Sequence, residues 1–401
     1  MSQDIKRIYY CRAGHSSENF VYSNRLNLIH SGRCDLCTIE NFIQEFKTWS
    51  SGNANSDKVI QESQINNIDN KLQWIPYDNF QNIKHIADGG RGSDWEYYLI
   101  GKKVEIKDSR YDIAEFLKGV TTVNNFNRSA DYHGISKNPS TQNYITIMEL
   151  FDDDFHMFLT KNFWNLRWVS NIFILLSIAE GLRILHQDNL VHCEYATYID
   201  LDLYKLENDL ILNANSKNIE IYGSIPYIPP EVLRGDEFTR TSEIYSFSGI
   251  MYEIATAQRP FADQAHDTYL MIDICNGVRP KASDFMLNWI PEWYLDLMYR
   301  CWSDDPSERP AAAELYNLFL EILEKLYDNI VDNNVMRQLK IADENQKNTS
   351  KSQKQELFSY SNKLHPQSCY SGRYIHTLRG LHDLLEEIKS GKSSDPNLLK
   401  Q

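Results

Sequence analysis

The stretch EIYSFSGIMYEIATAQRPF occupies residues 243–261 and lies between two other distinctive motifs. IPYIPPEVL precedes it at 225–233, and CWSDDPSERP follows it at 301–310. All three lie within a region, Trp74 to Tyr327, in which apolar patterning is sustained. Because such patterning marks segments that bury one face, we interpret this region as the main folded body, with helices in most of its later part.

Further motifs precede these three in a fixed order. IADGGRGSD (86–94) predicts a glycine-rich turn between strands, and VEIK (104–107) ends the following strand on a lysine. IMEL (147–150) predicts a strand, and LVHCEY (190–195) follows a helix-like stretch and a polar turn. Each motif alone is weak evidence, but in this order they resemble the landmarks of the protein kinase fold.

The resemblance implies an α+β, bilobal protein-kinase-like fold. We expect a small β-rich N-lobe at 77–150 and a large, mainly helical C-lobe at 151–327. A polar N-terminal segment with helices is expected at 1–76, and a polar linker with a C-terminal tail at 328–401.

The resemblance extends to the flanks of the chain. The three late motifs are similar to those of the tyrosine-kinase-like group that is expanded in certain soil fungi. FKTWSSGN (46–53) resembles the N-terminal segment of that family, and HPQSCYSGRYI (365–375) resembles its C-terminal tail. The flanks therefore belong to the family pattern in this interpretation.

The kinase resemblance assigns nucleotide-binding roles to four positions. Lys107 matches the lysine that contacts the ATP phosphates, and Met148 lies where the strand enters the hinge. The usual glutamate partner of the lysine aligns with Gly119, so no carboxylate remains to hold the ammonium in place. In the glycine-rich turn, Gly89 and Gly92 remain.

Two substitutions in that turn oppose nucleotide binding. Ala87 replaces the first glycine, whose lack of Cβ lets the backbone approach a phosphate. Asp94 stands where an apolar side chain packs over adenine, and a carboxylate there meets either an apolar base or a negative phosphate. We therefore expect binding of ATP and Mg²⁺ to be weakened or absent.

The LVHCEY loop matches the His-Arg-Asp catalytic loop of kinases. Glu194 takes the position of the general base, but its extra methylene moves the carboxylate by about 1 Å, which can cost on the order of 100-fold in rate. Cys193 supplies no positive charge in place of the arginine, and Ile199 replaces the metal-binding asparagine. A different catalyst on this fold would need a new nucleophile, for which only Cys193 is suggestive.

The second metal ligand has two candidates. Spacing favours Asp209, in NDLIL, as the aspartate of the Asp-Phe-Gly position. Local similarity would instead select Asp200, in DLDLYK. That choice would delete most of the hairpin that normally separates the catalytic loop from this aspartate. We prefer Asp209 and keep Asp200 as the alternative.

The structural positions of the kinase pattern are better preserved. Glu231, in the place of the Ala-Pro-Glu glutamate, and Arg309 match two halves of a buried ion pair. Glu243 replaces the helix aspartate that braces the catalytic loop. Retained structure with altered catalytic positions is what a pseudokinase would show.

The N-terminal region contains four residues of the types that bind zinc. Cys11 and His15 form a C-x3-H pair, and Cys34 and Cys37 form a C-x2-C pair. A polar stretch separates the pairs, and the first spacing is unusual. We therefore favour cysteines without a metal and keep zinc as the alternative interpretation.

Composition limits the remaining function classes. The chain has 401 residues, of which 42% are apolar and 24% charged, and a formal net charge of −14, which disfavours binding to nucleic acid or anionic membranes. The seven scattered cysteines and the absence of a secretory signal predict an intracellular, cytoplasmic protein.

The function that these features favour is a catalytically impaired pseudokinase that acts as a scaffold or allosteric partner of other signalling proteins or kinases. The alternative is a weakly active, ATP-dependent serine/threonine kinase that uses Lys107, Glu194 and Asp209.

Overall fold

The computed structural model describes most of the chain as two compact units. The described residues are 10–16, 20–21, 33–66, 73–80, 84–89, 92–99, 102–109, 132–149, 155–187, 190–192, 204–206, 220–328, 334–361 and 364–389. Unit 1 comprises residues 1–127 and 131–150, and unit 2 comprises residues 128–130 and 151–401. Strands 84–89, 92–99 and 102–109 are described by their backbone.

Unit 1 begins with two very short strands and two helices. Strand β1 (Phe20–Val21) pairs antiparallel with β2 (Arg33–Cys34), and helix α1 (Asp35–Glu45) follows directly. Helix α2 (Ala54–Asn66) packs on α1. A turn rich in serine and asparagine joins the helices, and the Asp57 carboxylate accepts the Ser51 N–H at 2.7 Å, which fixes the start of α2.

A six-stranded sheet forms the rest of the described part of unit 1. Its order is β3-β7-β8-β6-β5-β4, and all neighbouring pairs are antiparallel except β3 with β7. The strands are β3 (Gln73–Trp74), β4 (Lys84–Gly89), β5 (Gly92–Leu99), β6 (Lys102–Ser109), β7 (Tyr132–Lys137) and β8 (Tyr144–Glu149).

Two expectations differ from the sheet that forms. The run Tyr97 to Ile106 has the apolar pattern of a single strand, but it spans the end of β5 and the start of β6. Aromatic and β-branched residues in two successive strands give the same continuous pattern as one strand. The sheet also includes β3, so it takes in a strand of the segment 1–76 that we expected to be separate.

Unit 2 is built around one fully buried helix, α6. The helices that precede it are α3 (Phe155–Asn162), α4 (Trp168–Gln187) and α5 (Pro230–Arg234). Helix α6 spans Arg240–Thr256, and every residue from Ser242 to Thr256 is buried. Its start is fixed by Thr239, whose hydroxyl accepts the Ser242 N–H at 3.3 Å while the Ser242 hydroxyl accepts the Thr239 N–H at 3.1 Å.

The following helices enclose α6. They are α7 (Thr268–Cys275), α8 (Glu292–Cys301) and α9 (Ala312–Tyr327). Helix α9 packs along α4, and the buried faces of both contribute to one continuous core. Helix α4 is long and apolar enough to cross a membrane by length and composition, but half of it is buried within unit 2, as in the core helix of a globular unit.

The segment that we expected to be a polar linker is helical. Helices α10 (Asn334–Asn348) and α11 (Lys351–Ser361) occupy it. Met336, Leu339 and Ala342 of α10 are buried, because their spacing places them on one helix face toward the core. The composition of DENQKNTSKSQKQE indicated solvation, but polar side chains also fasten the helix: the Asp343 carboxylate accepts the Trp168 N–H at 2.8 Å.

The C-terminal tail folds back onto unit 2. Strand β12 (Arg373–His376) pairs antiparallel with β11 (Glu220–Gly223), and helix α12 (Leu378–Lys389) follows. A second short pair joins β9 (Leu190–His192) to β10 (Tyr204–Leu206).

Candidate functional site

The predicted nucleotide-binding positions lie on neighbouring strands of one sheet. Gly89 and Gly92 are paired where β4 and β5 meet. Lys107 in β6 is paired with Asp94 in β5 and with Thr146 in β8. Met148 lies near the end of β8, next to β6. The backbone therefore holds the four positions on adjacent strands.

The predicted catalytic loop begins at a described strand. His192 ends β9 and is paired with Tyr204 at the start of β10. Glu194 and the two candidate metal ligands, Asp200 and Asp209, lie outside the described residues, as do Cys193, Ile199 and Gly119.

Glu231 and Arg309 form a buried, bidentate ion pair. Arg309 Nη1 donates to Glu231 Oε1 at 2.7 Å, and Nη2 donates to Oε2 at 2.8 Å. The arginine also donates to the carbonyls of Thr241 at 3.0 Å and Ser303 at 2.9 Å. Its side chain is 0% exposed and that of Glu231 is 13% exposed, so the pair is shielded from water.

This ion pair connects three parts of unit 2. Glu231 lies in α5, Thr241 in α6, and Arg309 follows a short 3-10 helix at Pro306–Glu308. The guanidinium also lies over the Tyr245 ring, 5.2 Å from its centroid. Because four of the five guanidinium N–H groups have partners, one side chain fixes the positions of all three segments.

A second carboxylate of α6 reaches the helix that leads to β9. The buried Glu243 carboxylate contacts His186 Nε2, in the last turn of α4. Residues 188–192 then lead from this turn into the predicted catalytic loop. Glu243 therefore holds the end of α4 just before that loop.

A third carboxylate network was not predicted from the sequence. The Tyr227 hydroxyl donates to Glu253 Oε1 at 2.5 Å, and His156 Nδ1 lies 2.8 Å from Glu253 Oε2. Burial, followed by the Glu253 charge, raises the pKa of Tyr227 well above its usual value, so the phenol stays protonated as a donor. Tyr227 lies within the IPYIPPEVL motif, so the sequence marked this residue, but it gave no sign that Glu253 is its partner.

The tail covers the segment that leads into IPYIPPEVL. The Ser224 hydroxyl donates to the Cys369 carbonyl at 3.2 Å, directly after β11. The Tyr370 ring lies edge-to-face with Tyr227, at 6.4 Å between centroids, and beneath Arg259 at 4.8 Å. Farther along, Arg379 contacts Asp236 at 3.1 Å. The tail and this segment are therefore joined by strand pairing, rings and charges together.

The structure also brings together the four possible zinc ligands of unit 1. The ligand atoms of Cys11, His15, Cys34 and Cys37 all lie within 4.8 Å of one another. The spacing of the two pairs identified the residues, but only the fold shows that the pairs meet.

Comparison with known proteins finds similarity to protein kinases. Residues 205–319 match a family model described as protein tyrosine and serine/threonine kinase. This match covers unit 2 from β10 into α9 and includes both partners of the Glu231–Arg309 pair.

Several curated proteins are similar over a longer part of the chain. A protein kinase and PP2C-like domain-containing protein of Arabidopsis thaliana is 24% identical over 302 residues, which cover 64% of this chain and 45% of that protein. The probable serine/threonine-protein kinase kinX of Dictyostelium discoideum is 26% identical over 282 residues, 64% of this chain and 25% of that protein.

Human mitogen-activated protein kinase kinase kinase 7 is 26% identical over 161 residues, 40% of this chain and 23% of that protein. The chain thus spans less than half the length of each of these relatives. Residues 205–319 are thus similar to part of a protein kinase domain, and the proteins similar to this chain include a probable serine/threonine kinase.

Proposed function

We propose that this protein is a catalytically impaired, pseudokinase-like member of the tyrosine-kinase-like group, similar to the family expanded in soil fungi. In this proposal it acts as a signalling scaffold or allosteric partner of other signalling proteins or kinases. It works in the cytoplasm and contacts neither nucleic acid nor membrane.

The observation that carries the proposal is the complete Glu231–Arg309 ion pair in a chain whose catalytic positions are replaced. The pair is buried and bidentate, so the framework of unit 2 is fully formed. In contrast, Cys193 and Ile199 provide neither the guanidinium nor the metal-binding amide that phosphoryl transfer uses. A scaffold needs the framework and not those two groups.

The tail limits which sheet edge a partner could use in this proposal. An extended peptide can bind a protein by adding a strand to an open sheet edge. Here β12 occupies an edge of β11, and Cys369 and Tyr370 cover the residues that follow it. Peptides of other proteins therefore cannot use that edge while the tail is docked.

The strand register bears on the choice between the two aspartates. Asp200 belongs to the connection between β9 and β10, as does Glu194, and Tyr204 pairs with His192 at the end of the strands nearest that connection. Asp209 follows β10 beyond Leu206, which pairs with Leu190 at the opposite end. Because both aspartates lie outside the described residues, Asp209 stays the preferred metal ligand in this proposal and Asp200 the alternative.

The second candidate function is a weakly active serine/threonine kinase. The observation that favours it is the position of Lys107, which the register holds in β6 between β5 and β8. The kinase relatives agree with this alternative. It would use Lys107 on the phosphates and Glu194 as the base.

Thermal melting with ATP tests the proposal. Purified protein is melted with millimolar ATP, with Mg²⁺ or with EDTA. A ligand at 100 times its dissociation constant adds about 2.7 kcal/mol to the free energy of unfolding, which moves the midpoint by degrees. The proposal predicts no Mg²⁺-dependent rise; a rise that requires Mg²⁺ supports the active kinase.

Phosphate transfer is the second measurement. The unchanged protein and Lys107→Met are incubated with labelled Mg·ATP and a general protein substrate. We expect equal, background incorporation from both, because the metal-binding amide is replaced. Incorporation that Lys107→Met abolishes would overturn the proposal.

A further inference from the structure

The structure points to a zinc site in unit 1, formed by Cys11, His15, Cys34 and Cys37, and we propose that one zinc ion binds these four residues. This site is independent of the proposed kinase-like function, because none of its residues belongs to the kinase motifs. Its role is to hold the N-terminal strands and α1 together.

Four of the six distances between the ligand atoms are close to those of a tetrahedral zinc centre, and all six are within 4.8 Å. His15 Nδ1 lies 3.4 Å from Cys34 Sγ, 3.4 Å from Cys37 Sγ and 3.6 Å from Cys11 Sγ. Cys11 Sγ lies 3.5 Å from Cys37 Sγ. With Zn–S near 2.3 Å and Zn–N near 2.0 Å, tetrahedral geometry requires about 3.6 Å between nitrogen and sulfur and about 3.8 Å between sulfurs.

The first ligand pair is set by a tight turn. Tyr10 and Ser16 form an isolated antiparallel bridge, and within it the Cys11 N–H donates to the His15 carbonyl at 2.9 Å. Gly14 has a φ of +90°, which favours glycine, and its N–H donates to the Cys11 carbonyl at 3.0 Å. The turn thereby brings both side chains to one side, which explains the unusual C-x3-H spacing.

The second ligand pair lies at the beginning of α1. Cys34 ends β2 and precedes the first residue of the helix, and Cys37 lies in its first turn. Partial positive charge at a helix N-terminus stabilises thiolates, which are the form that binds zinc. Strand β2 is tied to β1 by the pairing of Phe20 with Cys34.

A carboxylate holds the histidine ring from behind. Glu40 Oε1 lies 3.3 Å from His15 Nε2, the ring nitrogen opposite to the one that faces the sulfurs. Histidines that bind metals commonly donate their other ring N–H to a carboxylate, which fixes the tautomer and orients the ring. Glu40 and Cys37 lie on the same helix, three residues apart, so α1 supplies both a ligand and the support of another.

A disulfide is the main alternative for this cluster. A disulfide requires about 2.0 Å between two sulfurs, whereas Cys11 and Cys37 are 3.5 Å apart and His15 is nearly equidistant from all three sulfurs. Three sulfurs and one imidazole leave no position for water or substrate, so the site is structural and not catalytic.

A zinc ion would also support the part of unit 1 that surrounds the cluster. Among the side chains that the structure describes in residues 10–16 and 33–66, the buried apolar ones are Cys34, Phe42 and Ile60. Small folds with few buried apolar side chains commonly depend on a metal. The Trp49 ring stacks on Trp74 of β3 at 6.2 Å, so the zinc-supported segment is attached to the sheet.

Metal content of the full chain tests the proposal. Protein is purified from zinc-supplemented medium under reducing conditions, and bound metal is measured by elemental analysis and native mass spectrometry. We expect one zinc per chain. The zinc is replaced by Co²⁺ to obtain a tetrahedral visible spectrum with sulfur-to-cobalt charge-transfer bands.

Three variants locate the metal. Cys37→Ser should lower the affinity for zinc at least about tenfold, measured as the zinc retained at a fixed chelator concentration. His15→Cys should keep zinc and strengthen the charge-transfer bands, because four thiolates also form a closed zinc site. Cys369→Ser, in unit 2, is the matched control and should change neither quantity. Protein without zinc and without a cobalt spectrum, or with a Cys11–Cys37 disulfide, would overturn the proposal.

Discussion

Arg309 shows how much one buried side chain contributes to unit 2. It donates to Glu231 and to two carbonyls, and none of its side chain is exposed. Arg309→Ala should lower the free energy of unfolding by about 3–5 kcal/mol, because it leaves the Glu231 carboxylate buried without its partner. Urea unfolding followed by circular dichroism measures the change.

An exposed ion pair between an arginine and a glutamate gives the matched control. Arg300 lies 3.6 Å from Glu314, and both side chains are more than half exposed. Arg300→Ala should cost about 0–1 kcal/mol. Arg309→Met combined with Glu231→Leu should recover much of the loss, since it removes both charges together. Equal losses from Arg309→Ala and Arg300→Ala would refute the argument.

Gly249 is a position where even a methyl group does not fit. A Cβ there would lie 2.6 Å from one Tyr227 ring carbon and 2.8 Å from another. The ring cannot withdraw easily, because its hydroxyl is bonded to Glu253 and the Ser246 hydroxyl donates to its carbonyl. Gly249→Ala should therefore destabilise by about 1–3 kcal/mol, although alanine is the better helix former.

The sign of the effect makes this prediction easy to check. In a Tyr227→Ala background, the same Gly249→Ala change should become neutral or stabilising by about 0.5–1 kcal/mol, because the clash is gone. Chemical denaturation of the four proteins supplies the comparison. A Gly249→Ala change that stabilises the unchanged protein would show that the contact is not tight.

Some residue-level features were accessible from the sequence and others were not. The Glu231–Arg309 contact followed from motif resemblance, since each residue lies beside a recognisable proline. The Tyr227–Glu253 contact was not predicted, because the two residues lie in different motifs and their spacing does not show that they meet. The four proposed zinc ligands were identifiable by type, but their close approach depends on a turn and a strand pair whose register the spacing does not determine.

At the scale of elements, His266 fastens the tail. It is 2% exposed; its Nε2 lies 3.1 Å from the Phe261 carbonyl, and its Nδ1 lies between the carbonyl and N–H of Cys369 at 2.8 and 3.0 Å. Burial lowers the pKa of His266. The hydrogen bonds to the Cys369 and Phe261 carbonyls raise it, and electrostatic interactions with Arg373 and His365 lower it again, so the pKa lies below its usual value.

Tail docking should therefore depend on pH. The folded-state pKa lies below the unfolded value of about 6.5, so the unfolded chain binds the proton first. The stability that neutral, buried His266 contributes is fully present above about pH 6.5 and decreases as the pH falls toward its folded-state pKa. Hydrogen exchange of residues 364–376 should be slow at pH 7.5 and accelerate, after correction for intrinsic rates, toward pH 5.5.

His266→Gln is the control for the tail. The amide keeps polar atoms in this position and does not titrate, so the pH dependence in this window should disappear. An unchanged profile in His266→Gln would assign the effect to another group.

Overall composition is a poor guide to the structure of helix α10. Helix α10 was expected to be a solvated linker, but its stripe of Met336, Leu339 and Ala342 is buried, and Gln346 donates to the Phe163 carbonyl at 2.7 Å. Three apolar residues at helical spacing are a stronger signal than a polar average. The pairing of β11 with β12 joins residues about 150 positions apart, which no local pattern reveals.

At the scale of the whole molecule, the net charge of −14 should make the chain repel polyanions such as nucleic acid. Proteins that bind nucleic acid neutralise phosphates with clustered lysine and arginine, and acidic residues outnumber basic ones here, 55 to 41. The purified chain should pass through a heparin column unretained at about 0.15 M salt, where charges are screened beyond about 8 Å.

Lowering the salt provides the comparison. Weaker screening should strengthen repulsion from heparin, so the chain should remain unretained at about 0.01 M salt as well. Retention that grows as salt is removed would reveal a local basic surface and would reopen nucleic acid as a partner.

The pairing of β11 with β12 has a consequence for anyone who shortens this protein. A recombinant fragment that stops after Tyr327 lacks the strand Arg373–His376, and the backbone groups of Glu220–Gly223 that faced it become an open template. Open strand edges recruit strands from neighbouring molecules. Such a fragment would self-associate, and a synthetic peptide of residues 364–389 added in trans would compete with that self-assembly by complementing the missing strand.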